Sequence, residues 1–359
     1  MFGTIFNKID QDAELSFGEI KHLIALQEKE EIDQLIKKAY EVKLKHVGKK
    51  VFFRGIIEFS NICIKDCYYC GIRKSNHSVE RYTMKEEEIL KGAEWAYKQN
   101  YGSIVLQSGE RNDEQFVSFI ENVIRKIKLV SGNNLGITLS LGEQTVDTYK
   151  RWYDAGAHRY LLRIESSNGE LYKKLHPENH SFEKRKECLT NLKSLGFQLG
   201  TGVMFGLPFQ TYEDLVNDIL FFKAIDADMI GMGPYLVSKE TPFASVDENI
   251  ITEDKLQLAL KMIAVTRIFL KDVNIAATTA LQAIKHNGRE LGLKAGANII
   301  MPNVTETEYR PSYQLYDNKP CLDENSGMCK SCLEMRILNI DEEVGYGEWG
   351  DSPHYTLHK

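Results

Sequence analysis

From about residue 51 onward, apolar positions alternate between two rhythms. Short runs rich in β-branched and aromatic residues read as strands: Val51–Phe59, Ser103–Gln107, Gly136–Leu141, Arg159–Ile164, Gln198–Phe205, Met229–Tyr235, Asn274–Thr279 and Ala297–Met301. Between them, apolar residues recur at helical spacing. They predict amphipathic helices over Lys85–Lys98, Glu114–Lys128, Val146–Tyr153, Glu183–Leu195, Tyr212–Ile225, Asp254–Leu270 and Leu281–Leu293, with a last helix over Lys330–Asn339. Gly102, Gly156, Gly196 and Gly296 stand at helix-to-strand joints, where a helix C-cap calls for a left-handed residue. Ahead of this region, Leu15 to Lys45 reads as two amphipathic helices, a lid or collar, opened by the capping-box pattern Ser16-Phe17-Gly18-Glu19.

Strands that alternate with helices define an α/β protein with a parallel sheet, and eight strands close a single (β/α)8 TIM-type barrel. No linker, low-complexity tract or short-period repeat divides the chain. The expected organisation is an N-terminal helical extension (1–50), the barrel (51–303) and a Cys-rich C-terminal segment packing on it (304–359). Barrel chemistry gathers at the C-terminal ends of the strands. Polar residues accumulate there: Cys63, Cys67 and Cys70 after the first strand, Gln107-Ser108-Gly109-Glu110 after the second, and Thr138, Ser140 and Glu143 at the third. The fourth strand adds Arg159, Arg163 and Glu165, and the seventh Thr278 and Thr279.

Composition narrows the class. With 43% apolar and 27% charged residues of mixed sign over 359 positions, the chain reads as globular. A net charge of −6 argues against a broad nucleic-acid-binding face, no apolar run reaches membrane-spanning length, and Met1 to Gln11 lacks the progression of a secretory signal. The seven cysteines fall as two groups of three plus Cys188, which suits metal ligation in a reducing, cytoplasmic setting better than a disulfide framework. Cys188, inside a predicted helix, reads as a small buried hydrophobe.

Cys63, Cys67 and Cys70 stand at spacing C-x3-C-x2-C, close enough for three thiolates to converge on one inorganic centre. Thiolates select zinc or iron–sulfur clusters. A closed structural zinc site wants a fourth ligand, and the one His near in sequence is His77. A [4Fe–4S] cluster held by three cysteines keeps one iron open instead. A zinc-stabilised barrel without redox chemistry is the competing reading. Cys321, Cys329 and Cys332 form a second set that suits either metal.

The C-x3-C-x2-C motif after the first strand of a barrel, with Tyr69 just before Cys70, resembles the signature of the radical S-adenosylmethionine (SAM) superfamily. Within it the whole chain is similar to the HydE family of [FeFe]-hydrogenase maturases, related to biotin synthase. The shared stretches are Asn61–Tyr82, Val105–Glu110, Thr138–Glu143, Arg159–Glu165, Gly206–Thr211, Ala277–Ala280 and Asn298–Asn303, completed by the second cysteine set. The resemblance implies that Cys63, Cys67 and Cys70 hold a [4Fe–4S] cluster whose open iron is chelated by SAM, and that reductive cleavage gives a 5′-deoxyadenosyl radical. It assigns Tyr69, Gln107, Ser108, Gly109, Glu110, Ser140, Glu165, Arg185, Met204, Met301 and Tyr313 to the cofactor pocket, Glu165 to SAM's ribose hydroxyls and Arg185 to its carboxylate. It assigns Thr138, Ser140, Arg159, Thr278, Thr279 and Tyr316 to the substrate cavity, which is anion-binding in the family. Cys321, Cys329 and Cys332 would hold an auxiliary [2Fe–2S] or [4Fe–4S] cluster. On pattern alone Arg185 is a solvated helix residue, Met204, Met301 and Tyr313 are core, and Arg159 is a structural ion pair. The implied substrate is a small cysteine-bound iron carbonyl cyanide complex for the hydrogenase diiron subcluster. The implied partners are an electron donor such as a flavodoxin or ferredoxin and the other hydrogenase maturases. Two departures touch substrate contacts: Ile164, where some members carry histidine, and Val304, where some carry an aromatic residue. Other superfamily readings are a methylornithine-synthase-like mutase, which lacks the C-terminal cysteine set, and a biotin-synthase-like enzyme, whose second cluster is ligated inside the barrel.

Overall fold

A computed structural model describes residues 2–357. Each of the eight predicted runs contains a strand: β1 (Lys50–Ser60), β2 (Ser103–Ser108), β3 (Gly136–Ser140), β4 (Arg159–Leu161), β5 (Gln198–Thr201) with β6 (Met204–Phe205), β7 (Met229–Ile230) with β8 (Gly233–Pro234), β9 (Asn274–Ile275) and β10 (Ile299–Ile300). All pair in parallel, eight of them in the order β10-β1-β2-β3-β4-β5-β7-β9. A bridge between Ala276 and Ile299 joins the two ends of that order, so the sheet closes on itself.

Strand parity then sorts the side chains. Phe53, Ile57 and Phe59 of β1, Ile104 and Leu106 of β2, Ile137 and Leu139 of β3, and Tyr160, Leu162 and Ile164 all enter the main hydrophobic core, where the surrounding helices cover them. Alternate positions point into the lumen, where Arg54, Val105, Thr138, Leu161, Met229, Asn274, Ile299 and Met301 line a cavity of about 30 Å³. Ile164 therefore belongs to the outer, apolar layer. Val304 packs on Gly55 and Gly92, where even an added Cβ would come within 2.8 and 3.6 Å of it.

Two predicted strands are each split, and β6 pairs with β8 as a separate two-stranded sheet. The break falls at Gly202 and Gly231, whose backbones approach so closely that a Cβ on Gly202 would lie 1.9 Å from the Gly231 oxygen. The predicted helix Leu281–Leu293 is likewise two helices, Thr279–Ile284 and Gly288–Lys294. Thr278 and Thr279 thus lie beyond β9, at the cap and first turn of a helix. Helices Phe2–Asp10, Gly169–Leu175 and Pro353–Leu357 were not anticipated. At Gly102 the expected cap role passes to Asn100 (φ +61°), and glycine is needed because a Cβ would sit 1.5 Å from the Glu348 oxygen.

The capping box Ser16/Glu19 forms and opens helix Phe17–Ile24. That helix and Lys29–His46 pack outside the helices Tyr212–Ala224 and Lys255–Leu270, as a collar on the barrel wall and not as a lid. The C-terminal segment reaches both ends of the barrel. Near the cysteine loop, Leu315 accepts from Gly71 N (2.9 Å) and Tyr313 from Gln107 (3.2 Å). At the opposite end β11 (Glu343–Val344) adds to the start of β1, and Gly350 accepts from Arg54 (3.1 Å) and Asn274 (2.8 Å). Among the described residues, no helix is long and apolar enough to cross a membrane.

Candidate active site

The loop from Asn61 to Lys85 carries Cys63, Cys67 and Cys70 and is held by its own backbone. Arg81 donates to four carbonyls, those of Asn61 (2.7 Å), Ile72 (2.9 Å), Arg73 (2.6 Å) and Asn76 (2.9 Å). Asp66 pairs with Arg73 (2.6 Å) and accepts from the Ser75 backbone (2.9 Å). The turn after β2 is pressed against the loop: Glu110 N donates to Cys63 Sγ (3.3 Å) and Ile64 N to the Glu110 carbonyl (2.9 Å). Gly109 makes this approach possible, since a Cβ there would lie 2.4 Å from the Ile62 oxygen and 2.8 Å from Cys63 Cβ.

Loss of water pushes all three thiols up, Cys67 to about 12, and Cys70 is raised further by the neighbouring Cys67 and Cys63. Three mutually repelling thiolates in one dry pocket need a cationic centre to be stable together. That donor set fits an iron–sulfur cluster. Among the histidines, His77 is exposed, His176 has both ring nitrogens on protein groups, and His180 stands beside Cys67 with Nδ1 toward its sulfur.

Around the cysteines lies a buried ionic network. Lys65 reaches Glu143 (2.8 Å) and Glu110 (3.4 Å), and Arg185 Nε lies 2.7 Å from Glu143. Arg185, which pattern alone makes a solvated helix residue, is thus withdrawn from water beside Cys67 and Glu165. Burial works against Glu143, yet Arg185 and Lys65 hold its carboxyl below the usual range. Burial raises Glu110 and Glu165, the latter against the pull of Arg163 and Arg185. Glu165 pairs with Arg163 (2.9 Å) and occupies the left-handed region at φ +65°, a conformation costly for a side-chain-bearing residue. The following loop is tied down by Asp218, which accepts from Ser167 N (2.7 Å) and which burial raises to about 7.

The remaining candidates separate by depth. Gln107, Ser140, Met204 and Met301 are half-buried residues on the barrel strands or just beyond them, and Ser108 turns its hydroxyl onto the Gly109 carbonyl (2.6 Å). Tyr69 directs its hydroxyl to His176 (3.2 Å). Thr138 lines the lumen cavity with Arg54, a residue the sequence reading passed over although its strand parity matches Glu58. Arg159 lies at the start of β4, away from the cysteines. It is fully buried and reaches Asp351 (2.8 and 3.1 Å) and Thr138 (3.4 Å). Thr279 accepts from Arg289 (3.0 Å), an unanticipated buried residue that also neighbours Tyr316 and Cys321, while the Thr278 hydroxyl is buried without a partner among the described residues.

Cys321 and Cys329 stand together, and Cys332 follows one turn later on helix Ser326–Leu338. Cys329 is the readier of the pair to ionise, because Cys321 donates to it. Cys188 is fully buried, its thiol on the Gln144 carbonyl (3.7 Å). A cleft of about 420 Å³ beside the N-terminal helices, lined by residues such as Lys38, His46 and Lys271, holds none of these residues.

A three-cysteine loop at the mouth of a closed parallel barrel defines the class, and residues 57–222 match the model of the Radical SAM superfamily. The chain is 43% identical over 332 residues to the [FeFe] hydrogenase maturase subunit HydE of Thermotoga maritima, covering 92% of each, and so belongs to the HydE family of radical SAM enzymes. The crystal structure of methylornithine synthase (PylB) shares the fold at a TM-score of 0.82 and 24% identity, covering 96% of this chain and 98% of that one. The structure of the FeFe-hydrogenase maturase HydG from Carboxydothermus hydrogenoformans does so at 0.81 and 21%, covering 96% and 79%. Enzymes of the superfamily use a [4Fe–4S] cluster and SAM.

Proposed function

We propose that this chain is a radical SAM enzyme that acts in assembly of the [FeFe]-hydrogenase diiron subcluster, on a small cysteine-bound iron carbonyl cyanide complex. The observation that carries the reading is 43% identity to a HydE over 92% of both chains, which exceeds the 27% shared with 3-methylornithine synthase of Methanosarcina acetivorans. When bound, a [4Fe–4S] cluster with SAM supplies a carbon-centred radical.

The chain's own residues prepare and contain that chemistry. Cys63, Cys67 and Cys70 would hold the cluster, and the Glu110 N–H already directed at Cys63 Sγ would offset charge on that sulfur. Arg185 binds the SAM carboxylate and Glu165 its ribose hydroxyls; the 107–110 turn and Tyr69 line the pocket, with Ser140, Met204, Met301 and Tyr313 along its walls. Thr138, Arg159, Thr278, Thr279 and Tyr316 orient an anionic substrate below. The second cysteine set takes an auxiliary [2Fe–2S] or [4Fe–4S] cluster with a peripheral role. A flavodoxin or ferredoxin supplies electrons, and the setting is the cytoplasm alongside the other maturases.

The test is hydrogenase maturation in a cell lacking its own HydE, paired with dithionite-driven SAM cleavage by the purified chain. Restored hydrogenase supports the reading. Alanine at Cys63, Cys67 and Cys70 abolishes SAM cleavage, and alanine at Cys321, Cys329 and Cys332 leaves much of it. A colourless, zinc-loaded protein with no cleavage would refute the proposal.

A further inference from the structure

Two histidines stand beside the cysteine loop, and the hydrogen bonds around them fix where their protons sit. His176 Nδ1 lies 2.8 Å from the Tyr172 carbonyl oxygen, which can only accept. Its proton is therefore on Nδ1, and Nε2 accepts from the Tyr69 hydroxyl at 3.2 Å. His180 is fixed from the other direction. The backbone N–H of Asp66 donates to its Nε2 at 3.3 Å, so the neutral ring carries its proton on Nδ1. That N–H faces Cys67 Sγ at 4.0 Å.

Resting on the reading of Cys63, Cys67 and Cys70 as cluster ligands, we propose that His180 is a positioning residue for the cluster's redox chemistry, its Nδ1–H donating to the Cys67 thiolate. The arrangement is built. His180 is 7% exposed, and it sits in the turn that leads into helix Phe182–Ser194, which also delivers Arg185 toward the same sulfur. The backbone that holds its ring belongs to Asp66, the neighbour of Cys67, so ring and thiolate are referenced to one rigid loop. Cys63 receives the matching contact from Glu110 N, so each of these two ligand sulfurs has its own N–H donor from outside the loop. Hydrogen bonds to ligand sulfurs stabilise the more negative, reduced cluster and raise its potential. At 4.0 Å the contact is long, and the expected effect is correspondingly modest.

The experiment is an EPR-monitored redox titration of the full-length chain, reconstituted anaerobically, in a Cys321→Ala, Cys329→Ala, Cys332→Ala background so that one cluster reports. His180→Phe removes the donor and keeps a ring, while His180→Gln keeps an N–H within reach. The expected result is unchanged iron content, with electron affinity up to about tenfold weaker in His180→Phe, equivalent to about 59 mV for a one-electron couple. His180→Gln lies nearer the parent. An unchanged potential in His180→Phe overturns the proposal, as does an equal fall in both variants, which would mark packing and not the N–H. If His180→Phe loses its iron, His180→Met against His180→Gln decides by the same comparison. A parent that takes up no iron fails earlier and differently: it removes the cluster reading itself, and the proposal with it.

Discussion

Asp351→Ala tests the buried electrostatics at the end of the barrel away from the cysteines. Asp351 lies in the C-terminal segment and accepts from Arg159 through Nε (3.1 Å) and a terminal nitrogen (2.8 Å), with His158 at 3.3 Å. Arg159 is fully buried, and Arg54, also buried, adds a second positive charge that repels it. Removing one member of a buried pair costs about 3–5 kcal/mol because the other charge is stranded. Asp351 is itself 30% exposed, and water screens part of the pair. The expected loss is therefore about 2–4 kcal/mol. At an unfolding entropy of about 2.1 cal/mol/K per residue, a chain of this length loses about 3–5 °C in Tm. Asp351→Asn keeps an acceptor oxygen and should lose about half as much. Although its own burial opposes ionisation, His158 and Arg159 hold the native Asp351 carboxyl far below the usual carboxylate range. A depressed native pKa gives stability that is complete above the unfolded value of about 3.9 and is lost as pH falls through the native one. The gap between wild type and Asp351→Asn, measured by thermal melts, should accordingly be largest near neutrality and narrow below about pH 4. An unchanged Tm in Asp351→Ala, or a gap that widens in acid, would refute the reasoning.

Gly109→Ala should abolish or sharply reduce iron incorporation, because the new Cβ collides with Ile62 and Cys63 backbone and side-chain atoms at 2.4 and 2.8 Å; Gly18→Ala, with nothing within 4 Å, should reconstitute normally and gain up to about 1 kcal/mol of helix stability. Wild-type iron content in Gly109→Ala would show that the turn can move aside. Arg185→Ala should weaken SAM binding at least about tenfold with iron content unchanged, in keeping with a lost charge-assisted pair, and calorimetry that finds equal affinity would count against the carboxylate contact.

All eight barrel strands were legible because each is a short run rich in β-branched and aromatic residues, buried by helices on one face and by a narrow lumen on the other. What failed was continuity. The runs through Gly202 and Gly231 look unbroken as sequence, yet the two backbones meet there and the strands split. The predicted helix Leu281–Leu293 breaks in the same way, and its second half starts at Gly288, where a Cβ would lie 2.0 Å from the Leu281 oxygen. The cysteine loop was legible from spacing alone. Arg185 was not, because it sits in the run Glu183-Lys184-Arg185-Lys186-Glu187, where charge is continuous and carries no sign of which member turns inward. His180 lies 113 residues from Cys67, and short-range spacing holds no trace of that meeting.

The C-terminal segment shows why a barrel of this kind needs residues from beyond its last strand. A (β/α)8 sheet has two open ends, and a reactive carbon radical abstracts hydrogen from stray C–H and S–H donors that reach it. Gly71 and Gly102 mark the two seals. At Gly71 a Cβ would lie 2.2 Å from the Gln314 oxygen, beside the cysteines; at Gly102 it would lie 1.5 Å from the Glu348 oxygen, beneath the lumen. Lys319 reinforces the first seal through buried Glu58 (2.5 Å), and Asp351 reinforces the second through Arg159. Both seals use an ion pair between a buried barrel-strand residue and the C-terminal segment, so registry at each end depends on charges that are costly to separate. One segment beyond the last barrel strand thus fixes the cysteine loop from above and the lumen floor from below, and a substitution in either seal acts on the site without touching a cysteine.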